Sequence, residues 1–502
     1  MKRILAAALA VLLLTSCSPQ EEQTEAEIQQ ESVAVQSVSV QDDKKETELI
    51  LSVGRDFSTT HPAKMEDEAS EAVVPLLYES LVSLGDDYHW QPELAESIEQ
   101  DGLTYTVTLR DAVFSDDSTV RAADVVNSMA RAREEGSNWA SRLSIVEDCV
   151  VLTANMVRIT LTEHRQDFEN LLTFPIAKEQ NDGSCLGSGQ YLLGLTESGE
   201  QILEPNPNYS GSTKGPERIY LKELPNSDSL HDSLRIGSIS CLFDDLSSGE
   251  AMKLSEKMKT VEIGHLVFLG VNGEEGLMAQ TAVRKAVGAA VNRQMLVDRV
   301  YASKATATDT PFHPSYYRIE DAEEVELSYE EARQLLLDAG LMLNPKGYFS
   351  MEEQSTLRLL YNSENSYRQQ TAEMLLQQLN NIGLQIELLG LSYSDYMAAL
   401  EDGNFDLYLG ELAIDESMDI RRLIEPGENY GFGCTAGNSV LQVYNSYQQG
   451  TASAELFLTV FQQNLPLIPL LYRQGLIVYD EDVTAAMESA PGTAFAAVFT
   501  EK

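Results

Sequence analysis

Carboxylates are the most abundant side chains in this chain that could do chemistry. Asp and Glu number 79 against 35 Lys and Arg, which gives a formal charge of −44. A glycosidase pair of carboxylates stays open, because pairing across a fold cannot be read from a sequence. The chain contains no G-x-S-x-G elbow, H-E-x-x-H helix, P-loop or G-x-G-x-x-G fingerprint, and its six histidines are dispersed, so a nickel site is poorly supported. We therefore expect a protein that is not an enzyme and that uses no cofactor and no metal.

The excess of negative charge also bears on the partners that this chain could have. A formal charge of −44 would repel a phosphate backbone, and there are few cations to release its counterions. We therefore expect no nucleic-acid partner. The same charge favours solubility and carries no information about the fold.

The thiol of Cys17 stands where a lipid could be attached. A basic pair, Lys2 and Arg3, precedes an apolar run from Ile4 to Leu14. This run is shorter than the roughly 20 apolar residues of a membrane-spanning helix, so it is typical of a secretory signal peptide. The run ends in Leu14-Thr15-Ser16-Cys17, which resembles the bacterial lipobox, and a cysteine thiolate is the nucleophile that acylation needs. The sequence thus predicts a signal peptide at 1–17 and a lipid anchor on Cys17; the alternative is an ordinary signal peptide with a chance cysteine.

The chain after the signal peptide divides into a tether and a large folded part. Residues 18–47 are rich in Gln, Glu and Ser and lack aromatic residues, which predicts a disordered acidic tether. The remainder is longer than the roughly 250–300 residues that one hydrophobic core supports, so two or more lobes are expected. No later segment is apolar enough to predict a membrane span.

The second half of the folded part has the pattern of an α/β sheet. Helical spacing of apolar residues runs from Ala282 to Tyr301. Further on, strands and helices alternate in the order Thr356–Tyr361, Tyr367–Ile382, Leu384–Leu389, Tyr393–Leu400 and Asp406–Leu409. This order predicts a parallel sheet covered by helices. Open sheets of this kind bind ligands beyond the carboxyl ends of their strands, so the loop after Leu409 is the first place to expect a site.

Four cysteines beyond Cys17 are scattered along the chain, at Cys149, Cys185, Cys241 and Cys434. They form no C-x-x-C motif. One or two disulfides and free thiols are equally compatible with the sequence, which cannot pair them.

A series of motifs resembles family 5 of the bacterial solute-binding proteins, the oligopeptide, dipeptide and nickel type of ABC-importer receptor. The matching segments follow the order of the family along nearly the whole chain from about residue 48 to 480. They are Tyr78–Leu81, Pro92–Ser97, Asp101–Asp111, Val113–Asp116, Arg121–Val126, Gly187–Tyr191, Asn206–Tyr209, Leu269–Asn272, Val283–Ala286, Val291–Arg293 and Leu335–Gly340. The chain departs from the family at Asp117 and Val120, where Gly and Pro are usual.

The resemblance implies an α/β fold of the two-lobed periplasmic-binding-protein type II, with a subdomain inserted in the first lobe. Lobe I would hold 48–66, 183–265 and 478–502, and the inserted subdomain 67–182. Lobe II would hold 266–477. The hinge would lie where the chain crosses between the lobes, near His265 and Ile477.

The resemblance also implies a function. The chain would capture di- or oligopeptides between its lobes and deliver them to a separate membrane permease that is driven by a separate ATPase. It would act as a monomer, anchored by lipid on the extracytoplasmic face of the membrane. Two alternatives stay open: a receptor for a nickel chelate, an oligosaccharide or another amine, and a lipid-anchored sensor or assembly protein that uses the same fold without transport.

In peptide-binding members of the family, a G-W-x-x-D-Y-x-D-P-like loop provides an aspartate for the α-amino group of the peptide. Here the corresponding segment, Gly410–Asp419, keeps the glycine and acidic residues but lacks the Trp and Pro. A carboxylate suits a desolvated ammonium, so Asp415, Asp419 and Glu411 are candidate ligand-binding residues. Tyr430 could form a wall of the cleft. Thr60 and His61 lie where the first loop of the family reaches it.

Overall fold

The computed structural model describes residues 48–54, 61–65, 67–211, 215–224, 227–247, 249, 257–319, 328–351, 355–427, 430–435, 439–480 and 483–500. The predicted signal peptide with Cys17, the predicted tether and Thr60 lie outside the described residues. None of the described helices is long and apolar enough to cross a bilayer.

The secondary structure alternates between strands and helices along most of the described chain. The strands are β1 (Glu48–Val53), β2 (Val82–Leu84), β3 (Trp90–Pro92), β4 (Ala95–Asp101), β5 (Thr104–Leu109), β6 (Val146–Thr153), β7 (Met156–Leu161), β8 (Lys178–Glu179), β9 (Cys185–Leu186), β10 (Tyr191–Leu195), β11 (Gln201–Pro205), β12 (Arg218–Glu223), β13 (Cys241–Asp244), β14 (Lys257–Val271), β15 (Ala305–Ala307), β16 (Met342–Leu343), β17 (Phe349–Ser350), β18 (Thr356–Asn362), β19 (Gln385–Leu391), β20 (Leu407–Ala413), β21 (Leu467–Tyr479), β22 (Ala485–Ala490) and β23 (Thr493–Thr500). The helices are α1 (Glu68–Leu77), α2 (Ala122–Ala132), α3 (Ser227–Arg235), α4 (Thr281–Ala290), α5 (Arg293–Arg299), α6 (Tyr329–Asp338), α7 (Ser366–Asn381), α8 (Tyr393–Glu401), α9 (Arg421–Ile424), α10 (Ser439–Gln448) and α11 (Ala454–Asn464). Short 3₁₀ helices lie at Pro62–Lys64, Phe168–Leu171 and Leu277–Ala279.

The predicted β-α-β-α-β order of the second half is confirmed. Strand β18 pairs in parallel with both β19 and β20, and helices α7 and α8 connect the three strands. Strand β20 is longer than the sequence pattern predicted, because it continues to Ala413 through its pairing with His265–Val271 of β14. Residues 410–413 therefore belong to a strand, and the loop begins only after Ala413.

The stretch from Ala282 to Tyr301 is helical, as its apolar spacing predicted, and it forms two consecutive helices. Helix α4 ends at Ala290 and α5 begins at Arg293. Asn292 has an extended backbone, and its side chain accepts a hydrogen bond of 2.8 Å from Met295 N. A side-chain cap of this kind satisfies a free N–H at the start of a helix and favours a new helix at that point.

Two long strands, β14 and β21, join the two sides of the main sheet. Eleven strands of the described residues form one mixed sheet, in which β21 and β14 lie side by side at the centre. On one side of this central pair, Cys241–Asp244 of β13 pairs with β21. On the other side, β20 pairs with β14. The pairing of β14 with β21 shifts register between Glu262 and His265. There Gly264 has a φ of +69°, and a Cβ on it would lie 2.7 Å from the Ile414 oxygen, so a larger residue is excluded. The predicted hinge positions, His265 and Ile477, lie on these two strands.

The segment predicted as an inserted subdomain, 67–182, has a core of its own. Its antiparallel sheet has the order β4-β5-β7-β6, and α2 packs against it. Helix α1 does not belong to this core, because Val73 and Leu76 are buried with Leu49 and Leu51 of β1. The separately packed part of the segment therefore begins after α1.

The Gly187-Ser188-Gly189 turn packs directly on the end of α1. A Cβ on Gly187 would lie 2.0 Å from the Leu77 oxygen, and one on Gly189 would lie 2.4 Å from the Leu77 carbonyl carbon. The Gly189 N–H donates to the same oxygen at 3.0 Å. Close approach of two backbones is thus the reason why this motif carries glycines.

The four described cysteines are free thiols. Burial raises the pKa of Cys185 to about 11 and that of Cys149 to about 12, so both thiols are neutral at pH 7. Burial also raises the pKa of Cys241. The structure thus favours the free-thiol alternative over a disulfide.

Candidate functional site

A cavity of about 670 Å³ is lined by residues from several distant parts of the chain. Its walls come from residues 71–93 and 138–175, from residues 243–245 and 263–265 at the central strands, from residues 412–422 and from residues 490–496. Ligand sites in proteins typically enclose about 300–1,000 Å³. The loop that follows β20 contributes to this cavity, so the expectation of a site at the carboxyl end of that strand agrees with where the cavity lies.

Asp415 organises the loop after β20. Its Oδ1 accepts hydrogen bonds from Ser417 N at 3.0 Å, Ser417 Oγ at 2.7 Å and Asp419 N at 3.2 Å. Asp419 is held in turn, because its Oδ1 accepts from Tyr444 Oη at 2.6 Å and from Arg421 N at 3.0 Å. These bonds fix both carboxylates on the cavity wall.

One arginine, Arg165 of the 138–175 wall, is the cationic partner of both aspartates. Arg165 Nη1 lies 3.3 Å from Asp415 Oδ2, and its Nη2 lies 2.7 Å from Asp419 Oδ2. Burial raises the pKa of Asp415 above its usual value, and the Arg165 charge opposes that rise. Asp415 and Asp419 therefore both line the cavity, and each already faces Arg165. As ligand-binding residues they remain predictions.

Glu411 lies in β20 rather than in the loop where the sequence analysis placed it. Its carboxylate contacts His265 Nδ1 at 3.0 Å, Arg473 Nε at 2.8 Å and Arg368 Nη2 at 3.3 Å. Burial by itself would raise the pKa of Glu411, but the hydrogen bond with His265 and the charge of Arg473 hold it well below its usual value. Glu411 is thus an ionised group of the central strands, and it is not among the described residues that line the cavity.

Tyr430 and His61 are also outside the described lining of the cavity. The Tyr430 ring stacks under Arg422, with the guanidinium carbon 5.2 Å from the ring centroid, and Arg422 does line the cavity. His61 caps the Pro62–Lys64 turn, where its Nδ1 accepts from Ala63 N at 3.2 Å. Burial lowers the pKa of His61, so its ring is neutral at pH 7. Both residues remain predictions as ligand-binding groups.

The sequence analysis did not single out three polar side chains on the cavity wall. They are Trp139, Glu416 and Arg422, and each has a buried polar atom without a protein hydrogen-bond partner among the described residues: Nε1, Oε2 and Nε respectively. The other Glu416 oxygen accepts from Arg142 Nη1 at 2.6 Å. Only the adjacency of Glu416 to Asp415 could have drawn attention to any of them.

A metal centre finds no support in the side chains that the structure describes. Among them, no three His, Cys, Asp or Glu residues are grouped so that they could hold a metal ion. The cavity instead carries carboxylates and guanidinium groups that face the same space. Such a site can recognise charged organic groups by hydrogen bonds and ion pairs.

The mixed sheet, the two lobes and the cavity between them define a solute-binding protein of the periplasmic type. Residues 89–424 match the family described as bacterial extracellular solute-binding proteins, family 5 middle, and the chain belongs to this family. Its members are the non-enzymatic solute-binding components of ABC importers, which confirms the prediction that the chain is not an enzyme.

Known proteins resemble the chain over most of its length. It is 24% identical over 379 residues to the glutathione-binding protein GsiB of Escherichia coli O1:K1, covering 70% of this chain and 71% of that relative. Among solved structures, the unliganded open form of the periplasmic murein tripeptide binding protein MppA is similar with a TM-score of 0.75 at 17% identity, covering 90% of this chain and 97% of that one. A nickel ABC transporter protein from Bacillus halodurans is similar with a TM-score of 0.75 at 17% identity, covering 89% and 98%. These likenesses confirm the two-lobed α/β fold.

Proposed function

We propose that this chain captures peptides between its lobes and delivers them to the permease of an ABC importer. One observation carries the proposal: the cavity between the lobes presents both carboxylates and guanidinium groups on its wall. A peptide with free termini carries an ammonium at one end and a carboxylate at the other, so both signs of charge find a complement. The relative named for glutathione and the neighbour named for a murein tripeptide support a peptide cargo.

In this proposal the loop after β20, which Asp415 and Asp419 hold in place, receives the amino end of the peptide. Glu411 lies in β20, the strand that leads into this loop. Tyr430 contributes by holding Arg422. We keep His61 and Thr60 as proposed contacts of the cargo. The main chain of an extended cargo would be bound by backbone groups of the walls.

Peptides with free termini are expected to stabilise the purified full-length chain in a thermal-shift assay. A cargo present at about 100 times its dissociation constant adds roughly 2.7 kcal/mol to the free energy of unfolding, which raises the melting temperature by several degrees. The screen compares a pool of di- to pentapeptides, the same pool after N-acetylation, a set of oligosaccharides and nickel ions. Acetylation should abolish the shift, because it removes the ammonium.

The comparison sets decide between cargo classes. A shift with oligosaccharides or nickel and none with any peptide would reject the peptide assignment. The nickel arm is included because a nickel ABC transporter protein has the same fold and because the loop after β20 lacks the Trp and Pro of peptide-binding members.

We also propose that a lipid on Cys17 anchors the chain to the extracytoplasmic face of the membrane and that residues 18–47 form the tether. The apolar run before Cys17 and the lipobox-like Leu14-Thr15-Ser16-Cys17 support this proposal. In bacteria fed an alkyne-labelled fatty acid, the wild-type chain should carry the label and sediment with membranes, whereas Cys17→Ser should do neither. Cys149→Ser is the matched control and should keep the label. Label that persists in Cys17→Ser would contradict the anchor.

A further inference from the structure

We infer that Arg422 and Glu416 are the charged anchors of the cargo, Arg422 for its carboxylate and Glu416 for its ammonium. This inference rests on the proposed function and names the residues that would determine its specificity. It follows from which polar atoms of the cavity already have partners and which do not.

Each carboxylate oxygen of the acidic pair predicted from the sequence already has a partner within the chain. Asp415 Oδ1 accepts hydrogen bonds from Ser417 and from Asp419 N, and its Oδ2 faces Arg165. Asp419 Oδ1 accepts from Tyr444 and from Arg421 N, and its Oδ2 also faces Arg165. An ammonium at either residue would have to compete with an ion pair that is already formed. These two aspartates therefore position the loop.

Glu416 differs from its acidic neighbours because one of its oxygens is unpartnered. Its side chain is only 12% exposed, its Oε1 accepts from Arg142, and its Oε2 is buried without a partner among the described residues. The residue is fixed from a second side, because Asn170 Nδ2 donates to its backbone oxygen at 2.9 Å. A buried acceptor without a donor destabilises the fold, so a cargo N–H that reaches Oε2 recovers the lost free energy.

Arg422 has the complementary property. Its Nε is buried without a partner among the described residues, and no carboxylate of the described residues forms an ion pair with it. Stacking on Tyr430 orients its guanidinium plane, which reduces the entropy lost when an anion binds. Carboxylates are the anions that a guanidinium binds with two parallel hydrogen bonds. Trp139 Nε1, a third unpartnered donor on the wall, suits a carbonyl oxygen of the same cargo.

Together these atoms specify a cargo that carries a carboxylate and an ammonium and that offers a carbonyl acceptor. A peptide with free termini has all three groups. A neutral sugar would leave the charge of Arg422 without a counterion, which is costly once water is excluded, and it would bring no cation to Glu416 Oε2.

The test measures apparent dissociation constants from thermal-shift titrations with three versions of one tripeptide pool: free termini, C-terminal amide and N-acetyl. The wild-type chain should prefer free termini over either blocked version by about 10- to 100-fold, the range that a charge-assisted hydrogen bond contributes. Arg422→Gln should bind free and amidated peptides equally while it still rejects N-acetyl peptides. Glu416→Gln should show the reverse pattern.

Two further variants make the outcome decisive. Arg235→Gln removes a positive charge whose side chain is 72% exposed on α3, and it should keep both preferences. Asp415→Asn should also keep the preference for a free amino end; if it loses that preference while Glu416→Gln retains it, the inference is overturned. Amidation that has no effect on the wild-type chain overturns the role of Arg422 even though peptides bind. A wild-type chain that binds no tripeptide rejects the proposed function as well.

Discussion

Replacing Glu411 by Gln lowers the free energy of unfolding by about 3–5 kcal/mol at pH 7, the cost of removing one partner from a buried ion pair. Glu411 is 10% exposed and contacts three cationic or hydrogen-bonding groups of other segments, of which Arg473 is only 4% exposed. After the substitution, the nearest carboxylate to Arg473 is Asp245, at 3.9 Å. A buried guanidinium with such a distant counterion is poorly compensated. Because Glu411 lies beside the central strands, the loss should appear as a lower melting temperature of the whole fold.

The pH dependence of this effect has a defined sign. The pKa of Glu411 is held well below its usual value in the folded chain, against about 4.3 in the unfolded chain. Its ionised form therefore stabilises the fold fully above about pH 5, and that stabilisation disappears as the pH falls towards the folded pKa. Equilibrium denaturation at pH 7 and pH 4 should show the wild-type chain approaching the variant at the lower pH.

Glu387→Gln provides the control for this prediction. Glu387 is an exposed residue of β19, which belongs to the same sheet but is separated from β20 by β18, and its replacement should change stability by less than about 0.5 kcal/mol. A Glu411→Gln variant that is as stable as the Glu387→Gln variant would show that the buried ion pairs of the central strands contribute nothing to the fold.

Arg165→Gln is the second substitution with a large expected effect, again about 3–5 kcal/mol at pH 7. Arg165 is 8% exposed and is the cation that faces both Asp415 and Asp419. Without it, two adjacent carboxylates remain in a buried loop and repel each other. The loss should concentrate at the contact between the 67–182 segment and the loop after β20, which hydrogen exchange of residues 414–420 would detect.

Acidification should restore part of the stability that this variant loses at pH 7. Burial already raises the pKa of Asp415, and the loss of Arg165 removes the charge that opposes the rise. A carboxyl whose folded pKa exceeds the unfolded value of about 3.9 destabilises the fold when it is ionised, and this penalty decreases as the pH falls through the folded pKa. The stability of Arg165→Gln should therefore increase between pH 7 and pH 4 relative to the wild-type chain.

Arg131→Gln is the matched control for Arg165. Arg131 belongs to the same segment and pairs with Glu134 and Glu179, but its side chain is 41% exposed, so its loss should cost no more than about 1 kcal/mol. Adding Asp415→Asn to Arg165→Gln should restore part of the stability, because it removes one of the two repelling charges. If the single variant is stable at pH 7 and insensitive to pH, Arg165 is not the counterion that the structure indicates.

Local sequence patterns predicted much of the secondary structure and the family. The β18-α7-β19-α8-β20 order followed from apolar periodicity, because each element buries one face regardless of the rest of the chain. The Ser328–Glu331 capping box at the start of α6 is a feature of the same local kind, since both of its hydrogen bonds lie within four residues. The ordered motifs from Tyr78 to Gly340 indicated the family, and the comparisons confirmed it.

The state of the candidate site was decided by contacts between distant segments. Arg165 and Asp415 are 250 residues apart, and Arg142 and Glu416 are 274 apart. No local pattern marks such pairs, because their meeting depends on the path of the chain between them. For the same reason the sequence could not show that Glu411 would be drawn into β20 by its pairing with β14.

The sequence by itself thus determined the elements, their order and the loop that reaches the cleft, because these depend on neighbours within a few residues. Only the tertiary structure decided which charges of that loop are already neutralised and which atoms of Glu416 and Arg422 remain without a partner. That decision depends on the positions of side chains from both lobes, and such positions exist only once the chain has folded.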